Sequence, residues 1–67
     1  MAITLKAARV NANMTQEMAS NALGINKNTL INYESYKTIP DVRMAKRMAD
    51  LYRLSVDDII FYLENGL

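Results

Sequence analysis

Apolar positions recur along this chain at helical spacing, in five blocks separated by short polar breaks. The first runs from Thr4 to about Ala12. Leu5, Ala8 and Ala12 share a face, Thr4 is the N-cap and Asn13 a suitable left-handed stop. Arg9 lies beside that apolar face rather than opposite it, an unusual place for a long cation. Thr15 caps a second helix, Gln16 to Leu23, with Glu17 complementing the dipole of its first turn. Met18, Ala19, Ala22 and Leu23 supply its apolar side, Gly24 closes it and Ile25 anchors the turn. Asn26 caps a third helix, Lys27 to about Glu34, with Leu30, Ile31 and Tyr33 expected inside and Lys27, Asn28, Thr29 and Asn32 outside. Ser35 to Ile39 form a loop, and Pro40 excludes helix from the residue before it. Asp41 caps a fourth helix, Val42 to about Tyr52, with a buried stripe of Val42, Ala45, Met48, Ala49 and Tyr52 and a wet face of Arg43, Lys46, Arg47 and Asp50. Ser55, with Asp58 three residues on, opens a fifth helix whose stripe is Val56, Ile59, Ile60 and Leu63. Phe61 and Tyr62 fall largely off that stripe.

The pattern predicts an all-α fold of five helices, with residues 1–67 as one domain and no repeat or linker. A chain this short buries only roughly 60% of its unfolded surface. It has no Cys, so disulfides and thiolate metal sites are excluded, and it has no His. Its stability must come from the apolar residues, 51% of the chain, with self-association as the available supplement. Without His or Cys the usual catalytic bases and nucleophiles are mostly missing, and the carboxylates are scattered or sequential. We therefore expect no enzyme, metal, cofactor or small-molecule substrate. The start, MAITLKAARV, lacks the long apolar run of a signal peptide, and no stretch approaches the roughly 20 apolar residues of a membrane span. A cytoplasmic protein without membrane contact is expected.

The net charge of +1 says little, but its distribution says more. Residues 26–47 hold Lys27, Lys37, Arg43, Lys46 and Arg47 against Glu34 and Asp41, whereas residues 48–67 hold Arg53 against Asp50, Asp57, Asp58 and Glu64. A basic centre suits a polyanion; a generic solvated surface is the plain alternative.

The stretch Thr15–Glu34 concentrates the candidate chemistry. Two short helices joined at Gly24, the second with polar residues on its outer face, form the pattern of a helix-turn-helix that places its second helix in the DNA major groove. Asn pairs bidentately with adenine, and Lys donates to guanine O6 or N7, so Lys27, Asn28 and Asn32 are candidate base or phosphate contacts. Asn is a poor helix former, so its repeated use here costs helix propensity. Thr15 and Gln16 open the second helix, where free N–H groups and an amide can meet a phosphate. Lys37 and Thr38 in the next loop are further candidates, Arg43, Lys46 and Arg47 weaker ones, and Asn26 serves first as a cap. For all of these the alternative is ordinary capping or solvation.

Taken in register, LKAAR, TQEMASNALGIN, the Leu30–Glu34 stretch and IPDVRMAKRMADLYRLSVDDII resemble the lambda-repressor-like, Cro/cI-type (XRE) helix-turn-helix domain over about residues 3–61. The resemblance implies a five-helix regulator, of small phage type, that binds double-stranded operator DNA, usually as a homodimer on a palindrome. Carried over by position, Gln16, Lys27, Asn28 and Asn32 match the family's usual DNA contacts. It also implies that Arg9 pairs with Glu34, as a structural latch rather than a DNA reader. Three departures stand out. Ala19-Ser20 replace a usual Leu-Ala, and Tyr36 and Arg53 replace glycines, which forces both toward positive φ. A second functional reading is a protein-interaction module on the same fold that binds another repressor, with Phe61, Tyr62 and Leu67 as its surface; an ordinary homodimer surface is the alternative use of those residues.

Overall fold

The computed structural model describes residues 1–63. Its elements run β1 (Ile3–Thr4), α1 (Leu5–Asn11), α2 (Gln16–Leu23), α3 (Lys27–Glu34), α4 (Val42–Leu51), a 3-10 turn (Val56–Asp58) and β2 (Ile59–Ile60). The four α-helices start where side-chain oxygens are available to cap them. Thr4 accepts from the Ala7 amide, Thr15 from Met18, Asn26 from Asn28 and Asp41 from Met44.

All four helices also end in one way. A residue in the left-handed region follows each last turn, namely Asn13, Gly24, Tyr36 and Arg53, at φ 61, 70, 63 and 62°. The next amide reaches back five residues, from Met14 to Arg9, Ile25 to Ser20, Lys37 to Asn32 and Leu54 to Ala49. Only Gly24 adopts this conformation free of steric cost. No atom crowds a Cβ added there, so its φ, rather than lack of space, calls for glycine. Tyr36 and Arg53 lie at positive φ as expected, each carrying strain of about 1–2 kcal/mol.

The core takes its largest fully buried residues from three helices: Leu5 of α1, Leu30 of α3 and Met48 of α4. Ala8, Ala19, Ala45 and Ala49 allow close approach, and Leu23, Tyr52, Ile59 and Phe61 complete the cluster. The corner at Ala19-Ser20 is closed to solvent, with the Ser20 hydroxyl donating to the Glu17 carbonyl.

The expected fifth helix does not form. Only Val56–Asp58 turns, and Ile59–Ile60 then pair in parallel with β1, Ile3 opposite Ile59 and Thr4 opposite Ile60. The apolar spacing fits a helix, but a short β-branched run fits a strand equally well, and β1 offers it a partner. Ser55 and Asp58 still form the expected box: the Ser55 N–H and hydroxyl both donate to Asp58 Oδ2. These bonds, the backbone one first, hold the Asp58 carboxyl below its ordinary pKa. Because β2 replaces the helix, Phe61 turns inward and is buried, while Val56 and Leu63 are exposed. The interface assignment of Phe61 is thus corrected: its ring is core. Tyr62 is exposed, and Leu67 lies outside the described residues. Val42 is also corrected to the surface: at about 100° per residue it falls at the edge of the arc held by Met48, Tyr52, Ala45 and Ala49, and it stands in the first turn, where no earlier turn of the helix covers it.

This assignment is directly testable. Phe61→Ala is expected to cost about 3–5 kcal/mol in urea unfolding, whereas Tyr62→Ala should stay within about 0.5 kcal/mol.

Candidate nucleic-acid interface

Two residues distant in sequence hold α3 in place. Arg9 of α1 donates through Nε to Glu34 Oε2 at 2.6 Å and through Nη2 to Oε1 at 3.3 Å. Its Nη1 donates to the Met14 carbonyl at 2.8 Å, and Gln16 Nε2 donates to Glu34 Oε1 at 3.1 Å. The side chains of the pair are 8% and 5% exposed, so the charges are nearly dry and depend on these bonds. The pairing implied by resemblance is present. Gln16's place in it is an addition that spacing alone could not reveal, since the two residues lie on different helices.

Tyr52 packs close to this network. Its buried hydroxyl has no hydrogen-bond partner among the described residues. Burial, assisted by the Glu34 charge and opposed by Arg9, pushes its pKa from 10.0 up to about 12.

The latch sets the inner side of α3, with Leu30 in the core and Tyr33 packed against it. On the outer side Lys27 and Asn28 are exposed and Asn32 half-buried. Ile31, expected inside, is only half-buried and stands apart from the partly buried apolar residues that pack on the core. Among the described residues, the side chains of Lys27, Asn28 and Asn32 make no hydrogen bond, so two amides and an ammonium keep their donors on one face. Asn26 and Thr15 are exposed, with a side-chain oxygen of each engaged as a cap. Gln16 is half-buried and commits one of its two amide hydrogens to Glu34.

Lys37 and Thr38 are exposed, but both their backbone N–H groups donate to the Asn32 carbonyl. Only their side chains remain for a phosphate. Tyr36 carries this loop at positive φ and is tied down through its hydroxyl, which donates to the Ile60 carbonyl at 3.0 Å. Arg47, placed by periodicity on the wet face of α4, in fact caps α2: its Nη2 donates to the Leu23 carbonyl at 2.9 Å. Arg43 and Lys46 are exposed.

A helix-turn-helix family model matches residues 5–59 of the chain. Over all 67 residues the chain is 28% identical to an uncharacterised HTH-type transcriptional regulator of Archaeoglobus fulgidus, covering 94% of that protein. It is 33% identical over 58 residues to another from Methanocaldococcus jannaschii, covering 87% of this chain and 88% of that one. It is 38% identical over 56 residues to the HTH-type transcriptional regulator ImmR of Bacillus subtilis, covering 84% of this chain and 44% of ImmR. No solved structure gives a significant match.

The latch and its neighbour give opposite expectations. Arg9→Met, which leaves Glu34 buried without its cation, should cost about 3–5 kcal/mol. Tyr52→Phe should be neutral or stabilising, because it deletes an unpartnered hydroxyl. The neutral phenol is the form the fold favours, so its contribution is intact below pH 10 and is lost as pH rises through about 12. Urea midpoints taken across that range should fall less for Tyr52→Phe than for the parent.

Proposed function

Because the chain belongs to the Cro/cI-type (XRE) family of helix-turn-helix transcription regulators, and is a DNA-binding regulator on that ground, we propose that it reads a specific operator duplex with the outer face of α3. The observation that carries this reading is the set of uncommitted donors at Lys27, Asn28 and Asn32, on a helix whose other side is fastened by Leu30 and Glu34. Such a helix can enter a major groove without rearranging, and its N-terminal residues are those that reach base edges. Thr15, the second amide hydrogen of Gln16, and the side chains of Lys37 and Thr38 engage phosphates on either side, fixing the register. Asn26 shapes the turn and adds at most its amide.

The operator is a palindrome bound by a homodimer, and the exposed apolar residues Val56, Tyr62 and Leu63 offer one contact between copies. Site and partner are both cytoplasmic. The alternative, an interaction module for a second repressor, loses one of its three proposed surface residues with the burial of Phe61.

Affinity for duplex DNA should fall steeply as salt is added, by filter binding or anisotropy. Asn28→Ala and Asn32→Ala should each weaken binding to the preferred duplex by about 1–3 kcal/mol while leaving non-specific binding nearly unchanged. Equal losses on both kinds of DNA would contradict base reading by these amides.

A further inference from the structure

Among the polar residues on the outer face of α3 stands an isoleucine. Successive residues of a helix are rotated by about 100°. Counting from Lys27, Ile31 lies at about 40°, Asn28 at about 100° and Asn32 at about 140°, while Thr29, Tyr33, Leu30 and Glu34 occupy the arc from about 200° to about 340°. The second arc is the fastened one: Leu30 is buried, Tyr33 packs on the core and Glu34 is in the latch. Ile31 thus lies between Lys27 and Asn28, on the opposite arc, and its side chain is half-buried there without belonging to the group packed on the core.

Helix formation gives little reason for isoleucine at this place. It is a weaker helix former than alanine, and β-branching fixes its χ1 in a helix. On its own arc of α3 this stiff apolar side chain is flanked by an ammonium and two amides and by no second apolar residue, which is unlike the clustered anchors of a protein–protein surface. It does fit a groove lined with hydrogen-bonding edges and one apolar group. In the major groove that group is the 5-methyl of thymine.

We infer that Ile31 is a specificity-determining residue that packs against a thymine methyl, beside the bases read by Asn28 and Asn32. The inference rests on the operator reading above and adds to it an apolar element of the code. Lys27 and the two amides distinguish bases by hydrogen bonds, whereas Ile31 distinguishes thymine from cytosine by shape and by removal of a methyl group from water.

The test begins by selecting a preferred duplex from a random pool with the full chain. Each thymine is then replaced in turn by uracil, which lacks only the methyl. One replacement per half-site is expected to weaken binding of the parent about fourfold, equivalent to about 0.8 kcal/mol for one methyl-sized group. Ile31→Ala should bind the thymine duplex more weakly and be indifferent to that same replacement, and Ile31→Val should keep the sensitivity. A parent indifferent to every uracil, or an Ile31→Ala protein as sensitive as the parent, would overturn the inference. Since the uracil scan needs only the parent protein, it stands even if a variant folds poorly. A pool that yields no preferred duplex would instead overturn the operator reading itself.

Discussion

The nearly dry pair of Arg9 and Glu34 is the constraint on which the rest of the molecule turns. Two charges with side chains 8% and 5% exposed lose most of their hydration, and that loss is tolerable only if every polar edge finds a partner. Here most do: the guanidinium grips both carboxylate oxygens and the Met14 carbonyl, and Gln16 adds a further donor to Glu34. The geometry allows little play. It joins α1, the loop before α2, the first residue of α2 and the last of α3, so the roll of α3 is set by directional bonds as well as by Leu30 in the core. A hydrophobic contact alone would leave the helix freer to rotate, and a rotated α3 would present different residues to a duplex.

The two sides of one eight-residue helix are thereby set apart. The inner arc of α3 holds the fold together, and the outer arc keeps its donors uncommitted. The same economy appears at the helix ends. Four identical left-handed closures stop the helices abruptly, and three of them use residues other than glycine, at a cost in strain. At Tyr36 that strain is offset by a hydrogen bond to Ile60, which links the loop after α3 to β2. The loop carrying Lys37 and Thr38 is therefore fastened at two points, to α3 through the Asn32 carbonyl and to β2 through Tyr36.

Much of this was legible in the sequence because it is written in local chemistry. Thr15, Gly24 and Asn26 mark the limits of α2 and α3, and Asp41 marks the start of α4, since caps and left-handed closures need particular residue types. The Arg9–Glu34 latch came from resemblance. From the residues alone, only the odd position of Arg9 beside an apolar face hinted at it. What escaped were features decided by tertiary context. Val56, Ile59, Ile60 and Leu63 carry a helical spacing, yet the strand wins because Ile3 and Thr4 lie alongside. Phe61 then turns inward and Val42 stays outside. Arg47 and Gln16 have exposed-looking positions on their own helices, and their partners lie on others. Ile31 is apolar and so expected inside, whereas its angular position separates it from Leu30 and Tyr33.

If the outer arc of α3 is the working surface, held ready-made by the latch, a duplex should perturb that arc and leave the core in place. Backbone-amide NMR of the full chain, titrated with a short duplex that the protein itself has enriched, tests this most directly. Shift changes are expected to concentrate from Lys27 to Asn32, with companions at Gln16, Lys37 and Thr38, while the amides of Leu5 and Met48 in the core stay in place. Changes concentrated at Val56, Tyr62 and Leu63, with α3 silent, would contradict it.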